Sequence, residues 1–387
     1  MAKLGEVFTI ASGGTPDKKK PFYYENGTIP WVKTGDLKTQ YVPEGIECIT
    51  EEGLDNSSAK LFPPNTVLVA MYGATIGACS ILPYEAATNQ ACAAFLPNEN
   101  VLPTYLYYFL SSKREQFVKD GVGGAQPNIS AGYLKNVQFG LIPMQQQIDI
   151  VEKLDKVEKL IALRKEQLAK LDELVKARFV EMFGHPVSNE KCWEQVPLSV
   201  CVESIDSGKS FVCDAAARQG DWPAVLKLSA ATYGFYRPEE NKAMIDENQF
   251  IEDAAVQTGD LLFTRKNTPE LVGMCAYVYD SPSKLMMPDL IFRLNTTERC
   301  NKIFLWKLIN HDFFRECIQA IATGSAKSMS NISKERLLGL LIILPPIELQ
   351  EQFAAFVKQV DKSKLTIQQS LYKLELLKKS LMQQYFG

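Results

Sequence analysis

The side chains that most often carry out chemistry are sparse in this chain of 387 residues. It has nine cysteines, no Cys-x-x-Cys pair, and only two histidines, His185 and His311. Zinc sites need closely spaced Cys, His or acidic ligands, so we expect no metal site. An odd number of scattered cysteines is typical of a reducing compartment, in which they serve as small core residues.

One short segment resembles part of a nucleotide-binding phosphate loop. Ser207-Gly208-Lys209-Ser210 matches the end of that motif, but Glu203 stands where its first glycine is required. The sequence has no Gly-x-Gly-x-x-Gly between a predicted strand and a predicted helix, and no Asn/Asp-Pro-Pro-Tyr/Phe segment of the amino-methyltransferase kind. Two histidines without a promising nucleophile nearby give no Ser-His-Asp or Cys-His arrangement. We therefore predict that the chain is not an enzyme and binds no cofactor.

The remaining polar residues form loops that combine basic, aromatic and amide side chains, a mixture suited to DNA. Arg and Lys bond guanine edges or phosphates, and Asn and Gln can pair with adenine. Arg265-Lys266-Asn267 is the strongest cluster, because it follows a predicted strand and enters a loop. A single lysine elsewhere is more often solvated surface than a contact. The candidate DNA-binding residues are Lys19, Lys20, Tyr23, Trp31, Lys33, Thr34, Tyr72, Thr75, Lys209, Lys227, Ser229, Tyr233, Arg265, Lys266, Asn267 and Lys327.

The composition fits a folded chain with more than one domain. Hydrophobic residues make up 46% and charged residues 22%, which is ordinary for globular proteins. The net charge of −3 is a weak argument against nucleic-acid binding, because acidic helices that face a partner can mask a basic stripe. The first residues lack a signal-peptide pattern and no apolar stretch is long enough to span a bilayer. We therefore expect a cytoplasmic protein with no membrane partner.

Much of the sequence occurs twice. Gly184 and Gly387 each follow a Phe, and they are 203 residues apart. At the same offset the Asn-Ile-Ser that ends the segment GAQPNIS (124–130) falls on the Asn-Ile-Ser that ends GSAKSMSNIS (324–333). Internal similarity at a fixed offset is the signature of a repeated structural unit. We predict two copies of one arrangement, a globular part followed by a helical part.

Two segments carry apolar residues at heptad spacing, which predicts long helices that pair as a coiled coil. Prolines stand at both predicted starts, and Gly184 followed by His185-Pro186 is a stop signal. A helix of about 40 residues is roughly 60 Å long, too long to bury its stripe against one small domain. The expected partner is the other copy, in antiparallel orientation. The predicted seam residues are Ile150, Leu154, Val157, Ile161, Leu168, Leu171, Val175, Phe353, Val357, Val360, Ile367, Leu371, Leu374 and Leu381.

Basic residues interrupt both predicted seams. They are Arg164 and Arg178 in the first helix, and Lys364 and Lys378 in the second. Because an unpaired buried charge is costly, such residues either set the register of the helix pair or extend their charged ends to solvent. The sequence leaves both possibilities open.

These features together predict an α+β protein with a pseudo-two-fold internal repeat. The first strand-rich globular domain covers residues 1–143 and is followed by a spacer helix over residues 144–184. The second globular domain covers residues 185–344, and the second spacer helix covers residues 345–387. Within the globular domains, single amphipathic helices are expected over Pro103–Phe117 and Asn301–Gln319.

The order of several motifs resembles a known family over the full length of the chain. The motifs are Ile-Pro-Trp-Val-Lys-Thr-Gly-Asp at 29–36, Tyr-Gly-Ala-Thr-Ile-Gly at 72–77, Thr-Asn-Gln at 88–90, GAQPNIS, and Ile142-Pro143 with Gln145–Gln147. Followed by a long helix and a second copy, this order is similar to the specificity (S) subunit of type I restriction–modification systems. The second domain departs from the pattern at residues 226–229 and 263–265, as expected if the two domains read different bases.

The resemblance implies a function that spacing alone does not give. Each globular domain would be a target-recognition domain that reads one half of a bipartite double-stranded DNA site. The antiparallel helices would set the gap between the halves and dock two modification subunits. Those partners would methylate adenine, and restriction subunits would add ATP-driven translocation and cleavage. On the residues alone, a coiled-coil scaffold whose globular heads bind proteins or small ligands is the alternative, and the missing motifs disfavour a self-contained methyltransferase or nuclease.

Overall fold

The computed structural model describes residues 1–122, 128–324 and 329–387, which form two compact units. Unit 1 comprises Met1–Lys165 and Gln369–Gly387, and unit 2 comprises Glu166–Gln368. Each unit combines small sheets with helices, so the predicted α+β class with an internal repeat is confirmed. Parts of the segments GAQPNIS and GSAKSMSNIS, together with the candidate Lys327, lie outside the described residues.

Unit 1 is built on two four-stranded sheets, with strand orders β2-β9-β6-β7 and β4-β3-β8-β5. All their strand pairs are antiparallel except β3 with β8. Strand β6 is buried along its whole length, because its Val, Leu and Ala side chains are covered on both faces. The strands are β1 (Ala2–Lys3), β2 (Ile10–Ser12), β3 (Ile29–Val32), β4 (Cys48–Ile49), β5 (Leu61–Phe62), β6 (Val67–Ala70), β7 (Cys79–Ile81), β8 (Ala86–Thr88), β9 (Cys92–Phe95) and β10 (Gln138–Phe139).

The helices of unit 1 close an aromatic core around Phe139, whose ring centroid lies 5.0 Å from that of Phe109. The single helix expected over Pro103–Phe117 is wrong, because the structure has two helices that meet at Lys113. Lys113 leaves helical geometry with ψ near 1°, and its Nζ donates to the carbonyl oxygen of Phe386 at 2.6 Å. The helices are α1 (Leu4–Val7), α2 (Glu51–Asp55), α3 (Pro103–Ser112), α4 (Arg114–Asp120), α5 (Ala131–Asn136) and the first part of α6 (Met144–Phe183).

Unit 2 contains a four-stranded sheet of order β12-β19-β15-β17 and a three-stranded sheet of order β14-β13-β18. In the second sheet β13 and β18 are parallel, as β3 and β8 are in unit 1. The strands are β11 (Glu194–Pro197), β12 (Val202–Ser207), β13 (Ala224–Leu226), β14 (Asn241–Ala243), β15 (Leu261–Thr264), β16 (Lys266–Asn267), β17 (Cys275–Tyr277), β18 (Leu285–Met286), β19 (Ile291–Thr296), β20 (Ser330–Asn331) and β21 (Leu341–Leu344).

The helix expected over Asn301–Gln319 is likewise broken, at Asn310 and His311. Asn310 turns its side chain to the backbone of Cys275, with Nδ2 2.8 Å from the carbonyl oxygen. The next helical turn begins after His311, whose Nδ1 accepts from the Phe313 backbone N–H at 3.4 Å. The helices of unit 2 are α7 (Lys302–Ile309), α8 (Arg315–Ala320), α9 (Lys334–Leu338), the last part of α6 and the first part of α10 (Ile347–Phe386).

Within each unit the segments of α6 and α10 run in opposite directions. In unit 1, Glu158 pairs with Lys378 and Lys165 pairs with Glu375. Residue numbers therefore rise along one helix as they fall along the facing helix, which is the mark of antiparallel pairing. In unit 2 the same holds, because Lys364 pairs with Asp172 and the ring of Phe179 lies 5.5 Å from that of Phe353. The predicted antiparallel pairing is therefore confirmed in each unit. Every predicted seam residue is buried or half-buried.

The ion pairs bear on the two possibilities for the lysines of the predicted seam. Lys364, whose side chain is only 14% exposed, contacts Asp172 of the facing helix and lies 3.5 Å from Asp361. Lys378 contacts Glu158 of the facing helix. Cross-helix partners at fixed positions favour a register-setting role for these lysines over simple extension into solvent.

A buried glutamine fastens the start of each long helix to its unit. In unit 1, Gln147 Oε1 accepts from the Leu102 backbone N–H at 2.9 Å, and its Nε2 donates to the carbonyl oxygens of Asn100 and Ile142. Gln350, 203 residues later, accepts from the Asn301 N–H at 2.9 Å and donates to two carbonyl oxygens in the same way. The repeat therefore extends to individual hydrogen bonds.

Across the described ranges, no helix is both long and apolar enough to cross a membrane.

Candidate nucleic-acid interface

In unit 2 the chain leaves β13 and enters a tight turn that carries two predicted contact residues. Lys227 precedes a 3-10 turn over Leu228–Ala230. Ser229 Oγ donates to Glu240 Oε2 at 2.7 Å, and Lys227 Nζ lies 3.9 Å from the same oxygen. The hydrogen bond from Ser229 lowers the pKa of the Glu240 carboxyl, and the charges of Lys227 and Arg237 add to this effect. The ionised carboxylate thus orients both predicted side chains.

The second predicted group in unit 2 follows strand β15. Arg265 donates from Nε and Nη2 to Asn331 Oδ1 at 3.3 and 3.2 Å, and its guanidinium lies 5.0 Å from the ring centroid of Phe292. The Ile332 N–H donates to the Arg265 carbonyl oxygen at 2.8 Å. Lys266 pairs with Asn331 in a short antiparallel ladder. Arg265 and Lys266 are both half-buried, and Arg265 is held in one orientation.

A buried amide joins these two regions. Asn267 is 7% exposed, and its Nδ2 donates to Thr232 Oγ1 at 3.1 Å. Thr232 precedes Tyr233, a predicted contact whose ring is 52% exposed. The structure therefore brings Lys227, Ser229 and Tyr233 to the neighbourhood of the segment that begins at Arg265.

Sequence reasoning missed one residue in this region, Arg237. Its guanidinium carbon lies 4.7 Å from the ring centroid of Tyr233 and 5.5 Å from that of Phe235. The available signal was the run Tyr-Gly-Phe-Tyr-Arg at 233–237, in which aromatic residues and an arginine surround a glycine.

In unit 1, the turn after β3 repeats the arrangement after β13. Lys33 Nζ lies 2.5 Å from Glu47 Oε2, and this hydrogen bond raises the pKa of the lysine. The same ammonium is 5.9 Å from the ring centroid of Trp31. Thr34 begins the 3-10 turn that follows and is half-buried. Both units thus hold a lysine at the end of a strand against a glutamate.

A second group in unit 1 lies around Lys20. Its Nζ donates to Tyr23 Oη at 3.1 Å and lies 5.0 Å from the centroid of that ring. The hydrogen bond with Tyr23 raises the pKa of Lys20. Lys19 is exposed beside it, whereas Tyr23 is 4% exposed.

The third group in unit 1 is the loop after β6. Tyr72 is 43% exposed, and Thr75 Oγ1 donates to its carbonyl oxygen at 3.3 Å. Gly73 has a φ of +69°, a conformation that favours glycine. The Ile129 N–H donates to the carbonyl oxygen of Met71 at 3.0 Å, and Asn128 bridges to Tyr72.

The loops after β6 and β15 are therefore built on one backbone pattern that carries different side chains. In both, the Asn-Ile pair that ends a Gly-rich segment returns to the residue after the strand and fixes it. The exposed side chain next to that contact is Tyr72 in unit 1, and the corresponding residue in unit 2 is Lys266. An aromatic ring and an ammonium group make different contacts with bases.

Several predicted residues do not belong to these surfaces. Tyr23, Trp31 and Asn267 are buried, and Trp31 Nε1 donates to the Gly14 carbonyl oxygen at 3.0 Å, so none of the three has a face free for a base. Lys209 is exposed and lines a cleft of about 750 Å³ that also contains Arg293, Lys334 and several acidic residues. The other described candidates remain predictions.

The match of this chain to a known family covers turns and loops in both units. The sequence profile of a family described as "Type I restriction modification DNA specificity domain" matches residues 1–173 and 210–376. The chain belongs to this family. Its first specificity-domain match includes the turn at Lys33 and the loop at Tyr72, and the second includes Arg237 and Arg265.

Individual relatives match parts of the chain. The EcoR124I/EcoR124II specificity subunit of Escherichia coli is 31% identical over 162 residues, which is 41% of this chain and 40% of the relative. The MjaIX specificity subunit of Methanocaldococcus jannaschii is 30% identical over 198 residues, 49% of this chain and 45% of the relative. The chain thus spans less than half the length of each of these relatives.

The fold of this specificity-domain protein is also found in solved structures. The S subunit of a type I restriction-modification system from M. genitalium has a TM-score of 0.61 at 13% identity, over 100% of this chain and 95% of the other. A chain from a study of complex assembly and conformational transition of the type I R-M system has a TM-score of 0.58 at 18% identity, over 100% and 96%. At these identities the likeness concerns the fold.

Proposed function

We propose that this chain is the sequence-reading subunit of a type I restriction–modification complex. Each globular domain, a target-recognition domain, reads one half of a bipartite site in double-stranded DNA. Residues 1–143 form the first reader and residues 185–344 the second, and the helices between them set the spacing of the two halves. The chain itself contributes no catalytic group or cofactor.

The observation that carries this proposal is the shared backbone frame that carries different side chains in the two units. A protein that reads two unlike half-sites needs two surfaces of the same shape and position that differ in chemistry. Tyr72 and Lys266 occupy corresponding places in that frame, and in unit 2 Tyr233 and Arg237 add an aromatic ring and a guanidinium. Amide, guanidinium, ammonium and aromatic groups are those that discriminate base pairs in the major groove.

The partners follow from the same assignment. Two modification subunits would dock on the helices and methylate adenine, and restriction subunits would join through the complex and supply ATP-dependent translocation and cleavage. Such partners also account for the net charge of −3, because their basic surfaces can provide most phosphate contacts.

Methylation mapping tests the proposal directly. A host that lacks other methyltransferases would carry this chain with its modification subunits, and its genome would be sequenced for methylated bases. We expect one bipartite motif with a fixed gap, absent when this chain is omitted. Methylation of the same motif without this chain would contradict the proposal. So would a failure to bind duplex DNA in a salt-dependent way, both alone and with the partners, and that result would favour a scaffold that binds other ligands.

A further inference from the structure

The turn from Tyr233 to Arg237 in unit 2 holds an arginine in a defined orientation at the surface. The guanidinium carbon of Arg237 lies 4.7 Å from the ring centroid of Tyr233 and 5.5 Å from that of Phe235. Its Nη2 donates to the Ser229 carbonyl oxygen at 3.0 Å. Its backbone N–H donates to the Ala230 carbonyl oxygen at 2.9 Å. Contacts with two rings and a carbonyl limit the rotamers of a side chain that is otherwise flexible.

The turn itself is anchored to the core of unit 2. Trp306 Nε1 donates to the Gly234 carbonyl oxygen at 2.9 Å, and Gly234 has a φ of +85°. Despite this anchoring, Tyr233 and Phe235 are each 52% exposed. Two half-exposed rings on a fixed turn leave apolar surface that burial against a ligand would stabilise. Their position beside an oriented guanidinium suits a surface that contacts a planar polar ligand.

The donors of Arg237 are not equivalent. Nε is buried and, among the residues the structure describes, has no hydrogen-bond acceptor. Nη2 uses one of its two hydrogens on Ser229, and Nη1 has no partner in the described part of the chain. The donors left for a ligand are therefore Nη1 and the second hydrogen of Nη2. This terminal pair matches the O6 and N7 acceptors of guanine in the major groove.

We propose that Arg237 is a specificity-determining residue of the second domain, which reads one guanine of its half-site through Nη1 and Nη2. Tyr233 and Phe235 act as positioning residues that fix the guanidinium plane. Because the arginine is already oriented, little conformational entropy is lost when it binds, and an incorrect base leaves its donors unpaired. This assignment rests on the proposed function.

The test uses the whole chain with its modification subunits and without restriction subunits, so that altered specificity does not lead to cleavage of the host genome. The motif methylated by the wild-type complex is compared with those of Arg237→Ala and Arg237→Gln. Glutamine is neutral and pairs preferentially with adenine, so it retains bulk but not guanine recognition. Arg218→Ala is the control, because that guanidinium, in the same unit, donates to the carbonyl oxygens of Trp222 and Ser283.

We expect both Arg237 variants to lose discrimination at a single G·C position of one half-site, by roughly ten- to hundredfold, with the other half unchanged. Arg218→Ala should keep the wild-type motif. A binding assay with the assembled complex uses DNA that carries 7-deazaguanine, a guanine analogue without N7, at that position. This base should weaken DNA binding by the wild-type complex but not by the Arg237→Ala complex.

Different failures have different meanings. An unchanged motif in either Arg237 variant overturns the assignment, and so does an equal loss on all sequences, which marks a phosphate contact. If Arg237→Ala does not fold, Arg237→Gln decides by the same criteria. A wild-type complex with no bipartite motif overturns the proposed function and this inference with it.

Discussion

Lys307 shows how one side chain makes unit 2 sensitive to pH. Its ammonium lies 3.4 Å from the ring centroid of Trp306, and burial lowers its pKa to about 8, an effect increased by Lys364 and opposed by Asp361 and Asp172. In the unfolded chain a lysine titrates near 10.4. Between these values the unfolded state holds a proton that the folded state lacks, so stability rises with pH through this window and is lowest below it.

Lys307→Met should therefore stabilise unit 2 at pH 7, by on the order of 2 kcal/mol, and remove the increase in stability between pH 8 and 10. Thermal melting at pH 7 and at pH 10 measures both effects. Lys362→Met, at an exposed position of α10, is the control for losing one lysine. Equal pH dependence in wild type and Lys307→Met would show that the ammonium is solvated in the folded protein.

A second prediction at this scale concerns Arg265. Its guanidinium is hydrogen-bonded to Asn331 and stacked on Phe292, so its orientation is fixed, and we propose that it contacts DNA. Arg265→Ala should relax recognition in one half-site only, the same half that Arg237 variants affect. Tyr72→Ala, in unit 1, should affect the other half, and methylation mapping compares the three. Uniform loss across all sequences with Arg265→Ala would indicate a phosphate contact instead.

At the level of single residues, type and local spacing did not predict exposure. Lys33, Lys227 and Arg265 are predicted contacts in polar loops, and the structure places each of them directly after a strand. Trp31 is predicted as a contact in one of these loops, yet it is buried and its N–H is satisfied by the Gly14 carbonyl oxygen. A partner 17 residues away is set by the tertiary fold, and no local pattern encodes it. Arg237 differs from Trp31, because the rings that orient it, Tyr233 and Phe235, are close to it in sequence. The local run of aromatic residues was a signal, but the stacking itself and the hydrogen bond to the Ser229 carbonyl oxygen form only in the folded turn.

Among the elements, the long helices were predictable and the short ones only in part. Heptad spacing with terminal Pro and Gly specifies α6 and α10, because such a stripe persists over many turns. The breaks at Lys113 and His311 leave no comparable signal, since both flanking segments remain amphipathic. They depend on tertiary acceptors, the Phe386 carbonyl oxygen for Lys113 and the contacts of Asn310 with Cys275.

The buried glutamines provide a prediction for the helix starts. Gln147→Leu fills a similar volume but leaves the Leu102 N–H and two carbonyl oxygens without partners, so it should destabilise unit 1 by roughly 3 kcal/mol. Gln146→Leu, at an exposed position one residue earlier, is the matched control. Urea unfolding gives the stability difference, and hydrogen exchange at the Leu102 amide reports the local contact. Equal stability of the two variants would contradict the fastening role.

For the whole chain, the proposed spacing function predicts what a heptad deletion does. Removing Lys165–Leu171 together with Gln368–Leu374, which are 203 residues apart, takes two full turns from both helices and keeps the seam in phase. The helical connection shortens by about 10 Å, roughly three base pairs of B-DNA. We expect a methylated motif with the same two halves and a shorter gap.

Deletion of Lys165–Leu171 alone is the control, because it shifts the facing ion pairs and seam residues and should prevent assembly. An active complex of the double deletion with an unchanged gap would refute the spacing role.

The contact of Phe386 with unit 1 has a consequence for the order of events during synthesis. Phe386 is buried against Tyr105 and Phe109, and its carbonyl oxygen accepts from Lys113. Domains usually complete their folding in the order in which the ribosome releases them. Here the core of the first unit stays open until all of unit 2 has been translated. A prematurely terminated polypeptide therefore lacks Phe386 and leaves this part of the core of unit 1 unfilled and open to proteases.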